Sequence, residues 1–165
     1  MRNVVIALVL CAPILIGSQS VAQTPPPAGP VAIPYGTPIT LEQAKIVAAA
    51  AEAEARKNNW NMAIAIAEPS GSLVYLAKMD GAPYGSLNVA PAKARSAAMF
   101  RNPTKAFEDR LAAGQTYILS LPGALPVEGG LPIVVNGRMV GAIGISGGSA
   151  QQDGVVAKAG VEAVK

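Results

Sequence analysis

Histidine is absent from the 165-residue sequence, and its single cysteine, Cys11, lies in the apolar N-terminal stretch. Without histidine the chain has no Ser-His-Asp triad, no histidine general base, no His-ligated haem and no ordinary zinc catalysis. Beyond Cys11 it has no thiol nucleophile, disulfide or iron–sulfur ligand. Its chemistry must therefore rely on carboxylates, lysine and arginine, hydroxyls, methionine or backbone groups.

Aromatic residues and excess charge are also scarce. The chain has one Trp, two Phe and four Tyr, and its formal net charge is only +3. Proteins that bind nucleic acid concentrate Lys and Arg on one surface, often with aromatic residues between them. The scattered basic residues of this chain predict no nucleic-acid partner.

The N-terminus has the pattern of a secretory signal peptide over residues 1–22. Arg2 supplies a positive start, residues 4–16 an apolar core, and Ser20-Val21-Ala22 a small-x-small cleavage site. The apolar run is too short for a comfortable membrane span. We therefore expect cleavage, no stable membrane anchor afterwards, and a periplasmic or secreted protein.

Residues 23–39 contain TPPPAGPVAIPYGTP, and repeated proline disfavours both helix and central strand. We interpret this stretch as an extended arm or linker. It acts as a tether, or it packs on a neighbouring subunit. Residues 40–165 then form one domain.

Periodicity and turn residues predict the elements of that domain. Capping boxes at Thr40/Gln43 and Ser149/Gln152 begin helices, and Asn136-Gly137 is a hairpin turn. The predicted helices cover residues 40–58, about 88–100 with Asn88 as cap, 103–112 and 150–164; the predicted strands cover residues 61–67, 73–78, 125–127, 131–135 and 138–146. The order predicts an α+β fold, with an antiparallel sheet of about five strands flanked by helices.

Five segments together resemble the haem-degrading HbpS-like family, which includes GlcG-type proteins. They are residues 41–44 (LEQA), 67–71 (AEPSG), 80–82 (DGA), 100–107 (FRNPTKAF) and 122–153, with LPVEGGLPI and VGAIGISGG inside the last. Their order and spacing cover nearly all of residues 40–165.

The resemblance implies a profilin-like domain that assembles into a homo-oligomer, often an octamer. It also implies binding of haem or another small ligand, with degradation or sensing as associated roles. In the secreted haem-binding member a threonine contributes to iron coordination, and the matching position is Thr104. A threonine oxygen is a weak neutral ligand, which suits a sensor, scavenger or degrader better than an electron carrier.

The candidate haem-binding residues are thus Thr104 for iron, with Arg101 and Lys105 for the propionates. Lys93 and Arg95 lie nearby in sequence and are further propionate candidates. Other side chains able to approach iron are Tyr75, Met79, Tyr84, Met99 and Tyr117. The plain alternative is that Thr104 simply starts a helix and the basic residues form a solvated face.

A second hypothesis is a small organic acid bound by Gly147, Gly148 and Ser149 at a helix start, with Arg101 or Arg138 as a clamp. The alternative is that these glycines only allow the chain to turn at the end of a strand. Catalytic residues stay unassigned. The candidate acids are Glu68, Asp80, Glu108, Asp109, Glu128 and Asp153, and no pair has a spacing that demands catalysis. A third hypothesis is an oligomeric structural or accessory module.

Overall fold

The computed structural model describes residues 32–164. The predicted signal peptide and the first part of the arm lie outside the described residues. The helices are α1 (Leu41–Lys57), α2 (Ser86–Phe100), α3 (Thr104–Ala112) and α4 (Ala150–Glu162), with a 3₁₀ turn at Thr116–Ser120. The strands are β1 (Ala63–Ala67), β2 (Leu73–Lys78), β3 (Gly130–Val135) and β4 (Arg138–Ser146).

Both capping boxes are confirmed. The Thr40 side chain accepts from the Gln43 amide at 3.2 Å, and the Ser149 side chain accepts from the Gln152 amide at 3.3 Å. In each case the glutamine side chain returns to the cap amide. Two of the amides without a partner in the helix are thereby satisfied at each start.

The β3–β4 turn is also confirmed. Asn136 and Gly137 have φ values of 50° and 73°. Two successive residues with positive φ are what a two-residue type I′ hairpin requires. The turn fixes the antiparallel register that begins at Val135 opposite Arg138.

Two details of the predicted elements are wrong. Helix α2 begins at Ser86 rather than Asn88, because the Gly85 carbonyl already accepts from the Asn88 amide at 3.0 Å. Residues 125–127 do not form a strand, because the Leu125 amide donates to the Ser96 hydroxyl at 3.0 Å and Pro126 has no N–H to donate. The sheet within the described residues therefore has four strands, close to the expected number of about five.

The sheet order is β2-β1-β4-β3, and every neighbouring pair is antiparallel. The sequence of β1 is AIAIA, and all five residues are buried. Since successive strand side chains point to opposite faces, the alanines lie on one face and the isoleucines on the other. Helices cover both faces, so the domain has three layers.

Helices α1 and α4 cover the isoleucine face. Its core joins alanine and valine side chains of the helices to isoleucines of three strands: Ala44, Val47, Ala48, Ala51, Val156, Ala157, Ile64, Ile66, Ile133, Ile143 and Ile145. The small helix side chains let α1 and α4 approach one another. A β-carbon at Gly160 of α4 would lie within 3.4 Å of Ala51 in α1.

Helix α2 covers the alanine face. Ala90 and Ala94 pack on Ala63, Ala65 and Ala67. Gly144 of β4 lies directly beneath the α2 backbone, and a β-carbon there would collide with Ala90 and Ala94. The absence of a side chain at Gly144 therefore sets how close α2 lies to the sheet.

The arm runs beside β4 beyond the end of β1. The Met139 amide donates to the Pro34 carbonyl at 2.9 Å, and the Met139 carbonyl accepts from the Gly36 amide at 2.8 Å. These bonds make a parallel bridge between Tyr35 and Met139. The last residues of the arm are thus part of the folded unit. Among residues 32–164, no helix is long and apolar enough to cross a membrane.

Candidate functional site

The corner between α2 and α3 holds the three predicted haem-binding residues. Helix α2 ends in a Schellman-type cap, in which the Asn102 amide donates to the Ala97 carbonyl and the Arg101 amide to the Ala98 carbonyl, both at 3.3 Å. Arg101 has φ 51° and ψ 40°, the left-handed conformation that glycine usually supplies at this position.

The Arg101 guanidinium contacts the arm. Its Nη1 donates to the Ile33 carbonyl at 3.1 Å, and its central carbon lies 4.7 Å from the centre of the Tyr35 ring. Both contacts are with neutral groups. No carboxylate of the described residues forms an ion pair with it. The corner therefore carries a half-buried positive charge without an acidic partner.

Thr104 begins α3 and is fully buried, with 0% of its surface exposed. Its hydroxyl accepts from the Gly130 amide at 2.9 Å. This bond ties the start of α3 to the start of β3. In this arrangement the hydroxyl faces the sheet rather than solvent.

Lys105 is one residue further along α3 and is exposed. It pairs with Asp109, one turn on, at 2.7 Å. The hydrogen bond to Asp109 is the main reason why the pKa of Lys105 is raised above its usual value. An exposed pair of this kind exchanges easily for another acidic partner.

Lys93 proves to be neither solvated nor available to a ligand. Its ammonium lies 2.6 Å from an oxygen of Asp153, and only 1% and 4% of the two side chains are exposed. The prediction of Lys93 as a propionate partner is therefore wrong, because the side chain is enclosed. The sequence could have indicated this burial, because helical spacing places Lys93 on the same stripe of α2 as the buried Ala90 and Ala97.

Asp153 also binds the loop before α4. Its second oxygen accepts from the Gly148 amide at 3.1 Å. Burial raises the pKa of Asp153, and the bonds from Lys93 and the amides of Gly147 and Gly148 oppose that rise. One carboxylate thus connects α2, α4 and the end of β4.

The same contacts occupy the proposed anion site. The Gly148 amide is bound to Asp153, and the Ser149 amide donates to Gln152 Oε1 at 2.8 Å. An external carboxylate would have to displace these internal acceptors. The anion site at Gly147, Gly148 and Ser149 stays a prediction, without a free amide at Gly148 or Ser149 to support it.

Glu128 lies in the loop that leads to β3. Its amide donates to a Glu108 carboxylate oxygen at 2.6 Å, and its own carboxylate packs against Gly154 of α4. Burial raises the pKa of Glu128, and the nearby Glu108 and Asp109 carboxylates add to the rise while Lys105 opposes it. Glu128 is a carboxyl group beside the corner whose proton is held more tightly than usual.

The other predicted ligands are dispersed. Met79 is 8% exposed, whereas Tyr84 is 87% exposed and lies over Lys78 at 5.4 Å. Tyr117 is in the 3₁₀ turn and bonds Gln115 at 3.0 Å. Within residues 32–164 no group of three or more acidic residues is arranged to hold a metal ion.

A cleft of about 400 Å³ lies elsewhere, between the arm, the start of α1 and the β3–β4 turn. Its walls include Gly36, Gln43, Val135 and Arg138, and none of Arg101, Thr104 or Lys105. Arg138 donates to the Tyr35 carbonyl at 3.3 Å, so it holds the arm. Sequence reasoning did not predict this cleft, because the course of the arm decides it.

Comparison with known proteins defines the class. The family model described as "Haem degrading protein HbpS-like" matches residues 39–162. The chain belongs to this HbpS-like family, which confirms the resemblance seen in its motifs. It is similar to Protein GlcG of Escherichia coli strain K12, with 39% identity over 108 residues, or 66% of this chain and 81% of that protein.

Solved structures agree in fold. The chain is similar to a double mutant of HbpS from Streptomyces reticuli, with a TM-score of 0.73 and 30% identity over 87% of this chain and 99% of that one. A PduOC:heme complex has a TM-score of 0.71 at 22% identity, covering 78% of this chain and 96% of that one. The latter likeness shows the shared fold alone.

Proposed function

We propose that this chain is an exported haem-binding protein that holds a tetrapyrrole at the α2–α3 corner. The observation that carries the proposal is the Arg101 guanidinium, a half-buried charge with no carboxylate partner among the described residues. A charged group in that state favours an anionic ligand. Membership of the HbpS-like family, whose model is described as haem-degrading, supports a tetrapyrrole as that ligand.

The two propionates of haem suit the two cations of the corner. Arg101 offers a planar fork that pairs with a carboxylate through two hydrogen bonds. Lys105 offers a second charge four residues further along, and its exposed pair with Asp109 costs little to exchange. The propionates would therefore contribute electrostatic attraction that weakens with added salt.

Iron coordination by Thr104 requires a local change. The hydroxyl is bound to the Gly130 amide at 2.9 Å, so it must leave that partner to face a ligand. The resulting bond would be weak, because the donor is a neutral oxygen. We therefore propose a role in haem scavenging, sensing or slow degradation, with Glu128 as a nearby carboxyl group able to hold a proton.

Export and assembly belong to the same proposal. Arg2, the apolar run 4–16 and Ser20-Val21-Ala22 support a cleavable signal peptide, and the family match begins only at residue 39. We propose a periplasmic or secreted homo-oligomer, in keeping with what the resemblance implies. Light scattering of residues 23–165 gives the number of subunits, and a monomer at micromolar concentration would contradict this part.

Hemin titration of residues 23–165, followed by Soret absorption, tests the binding proposal. We expect a saturable red shift that is lost in Thr104→Val and retained in Thr104→Ser. Valine has the shape of threonine without its oxygen, whereas serine keeps the oxygen. Valine also leaves the Gly130 amide without an acceptor and should cost about 1–3 kcal/mol of stability, so circular dichroism must show that the variant is folded.

A second probe separates the iron contact from the propionate contacts. The dimethyl ester of hemin keeps the iron and ring but has no carboxylates. We expect the ester to bind more weakly than hemin, and Arg101→Gln to reduce hemin binding without changing ester binding. A flat hemin titration of the unmodified chain would overturn the proposed function.

A further inference from the structure

We propose that Tyr35 is a positioning residue, which orients the Arg101 guanidinium so that the arm becomes part of the ligand site. This inference rests on the proposed function. It assigns to the end of the arm a role in binding carboxylate ligands, beyond that of a tether.

The arm is held on β4 independently of Arg101. Three backbone hydrogen bonds fix it: the Met139 amide to the Pro34 carbonyl, the Gly36 amide to the Met139 carbonyl, and the Ile39 amide to the Val140 carbonyl, at 2.7–2.9 Å. The Tyr35 hydroxyl adds a longer bond of 3.4 Å to the Met99 carbonyl at the end of α2. The ring therefore has a fixed place before any contact with Arg101 is counted.

The arm in turn determines the direction of the guanidinium. Ile33 accepts one hydrogen bond from Nη1, and the Tyr35 ring lies beneath the cation at 4.7 Å. A guanidinium has five N–H donors in a rigid plane, and one of them is used in the described structure. The Tyr35 ring takes none of these donors, so those that Ile33 does not use are available to a carboxylate.

The backbone at Arg101 supports the same interpretation. The residue has φ 51° at a helix end where glycine is usual. Backbone geometry alone would favour glycine there. All described side-chain contacts of Arg101 are with the arm, so the arm and the arginine form one unit.

The corner also stays open. Tyr35 is 45% exposed and Met99 is 41% exposed. Both side chains are therefore accessible to a ligand that approaches the corner from solvent.

A double-mutant cycle on hemin affinity tests this inference in residues 23–165. The four proteins are the unmodified chain, Tyr35→Leu, Arg101→Gln and the double variant. We expect Tyr35→Leu to weaken hemin binding by about threefold to tenfold and to have no effect when Arg101 is already Gln. Tyr35→Phe keeps the ring and should restore most of the affinity.

Tyr84→Leu is the matched control. Tyr84 also lies over a cation, Lys78, but at 5.4 Å and away from the arm, and its loss should leave hemin affinity unchanged. If Tyr35→Leu reduced hemin affinity equally in the unmodified chain and in Arg101→Gln, the positioning role would be overturned. The proposal of haem binding would stay intact. Tighter binding by Tyr35→Leu would overturn the positioning role too, by showing that the arm competes with the ligand. No binding by the unmodified chain would overturn both proposals.

Discussion

The two faces of the sheet are packed by different means. On one face, isoleucines of β1, β3 and β4 fill the space beneath α1 and α4. On the other, alanines and Gly144 let the α2 backbone approach the strands closely. The same strand β1 serves both, because AIAIA alternates between them.

The two faces therefore contribute differently, one mainly to stability and the other to the position of the candidate site. The isoleucine face buries large apolar side chains, which is the main source of folding free energy. The alanine face contributes little apolar area per residue, but it fixes the position of α2. The end of α2 carries Arg101, and the buried Lys93 on the same helix reaches Asp153 on α4. The alanine face thus positions the candidate site.

Breaking the buried ion pair should have the largest effect. Lys93→Met leaves Asp153 as a buried charge without its partner and should cost about 3–5 kcal/mol in the free energy of unfolding. Denaturant titration measures this loss.

The control for this prediction is the double variant Lys93→Met, Asp153→Asn. Asparagine removes the charge but keeps an oxygen for the Gly148 amide. We expect the double variant to be more stable than Lys93→Met alone. Equal stability would show that the loss does not come from an unpaired charge on Asp153.

The next comparison is between adding a methyl group on the alanine face of the sheet and removing one on the isoleucine face. Gly144→Ala adds a methyl where the α2 backbone leaves no room, and we expect it to cost about 3 kcal/mol. Ile143→Val removes a methyl from the opposite face and should cost about 0.5–1.5 kcal/mol. Thermal and denaturant unfolding of both variants tests the order.

Gly85→Ala is the control for the added methyl. Gly85 has φ −61°, and a β-carbon there meets nothing within 4 Å. It should be neutral or slightly stabilising. If Gly144→Ala were as well tolerated as Gly85→Ala, the close approach of α2 would be refuted.

The smallest expected effect concerns Glu128. Its pKa is raised in the folded state, so the folded chain binds the proton more tightly than the unfolded chain. Stability should therefore fall as the pH rises from about 4.5 through the raised pKa of Glu128. Glu128→Gln should remove this part of the pH dependence, worth less than about 1 kcal/mol for a partly exposed group. An unchanged slope between pH 4.5 and 7 would contradict the assignment.

Sequence patterns were sufficient for most local structure. The capping boxes at Thr40 and Ser149 and the Asn136-Gly137 turn act through neighbouring residues, and all three are confirmed. The α+β class followed from the order of those elements. The strand expected at 125–127 failed because the Ser96 hydroxyl, distant in sequence, takes the Leu125 amide.

The candidate site was less accessible to sequence reasoning. Family resemblance pointed to Thr104, and the basic residues near it in sequence suggested Arg101 and Lys105 for the propionates; all three lie at one corner. The partners that decide their chemistry are distant along the chain. Gly130 binds Thr104 across 26 positions, and Ile33 binds Arg101 across 68. Such pairings depend on tertiary packing, which no local pattern contains.

Hydrogen–deuterium exchange with and without hemin tests the central claim most directly, because it locates the ligand. Bound hemin should slow exchange in peptides that cover Arg101–Lys105 and the arm around Tyr35. The β3–β4 turn at Asn136-Gly137, beside the separate cleft, should exchange as before. Protection confined to that turn, or no protection at the α2–α3 corner despite saturating hemin, would contradict the account.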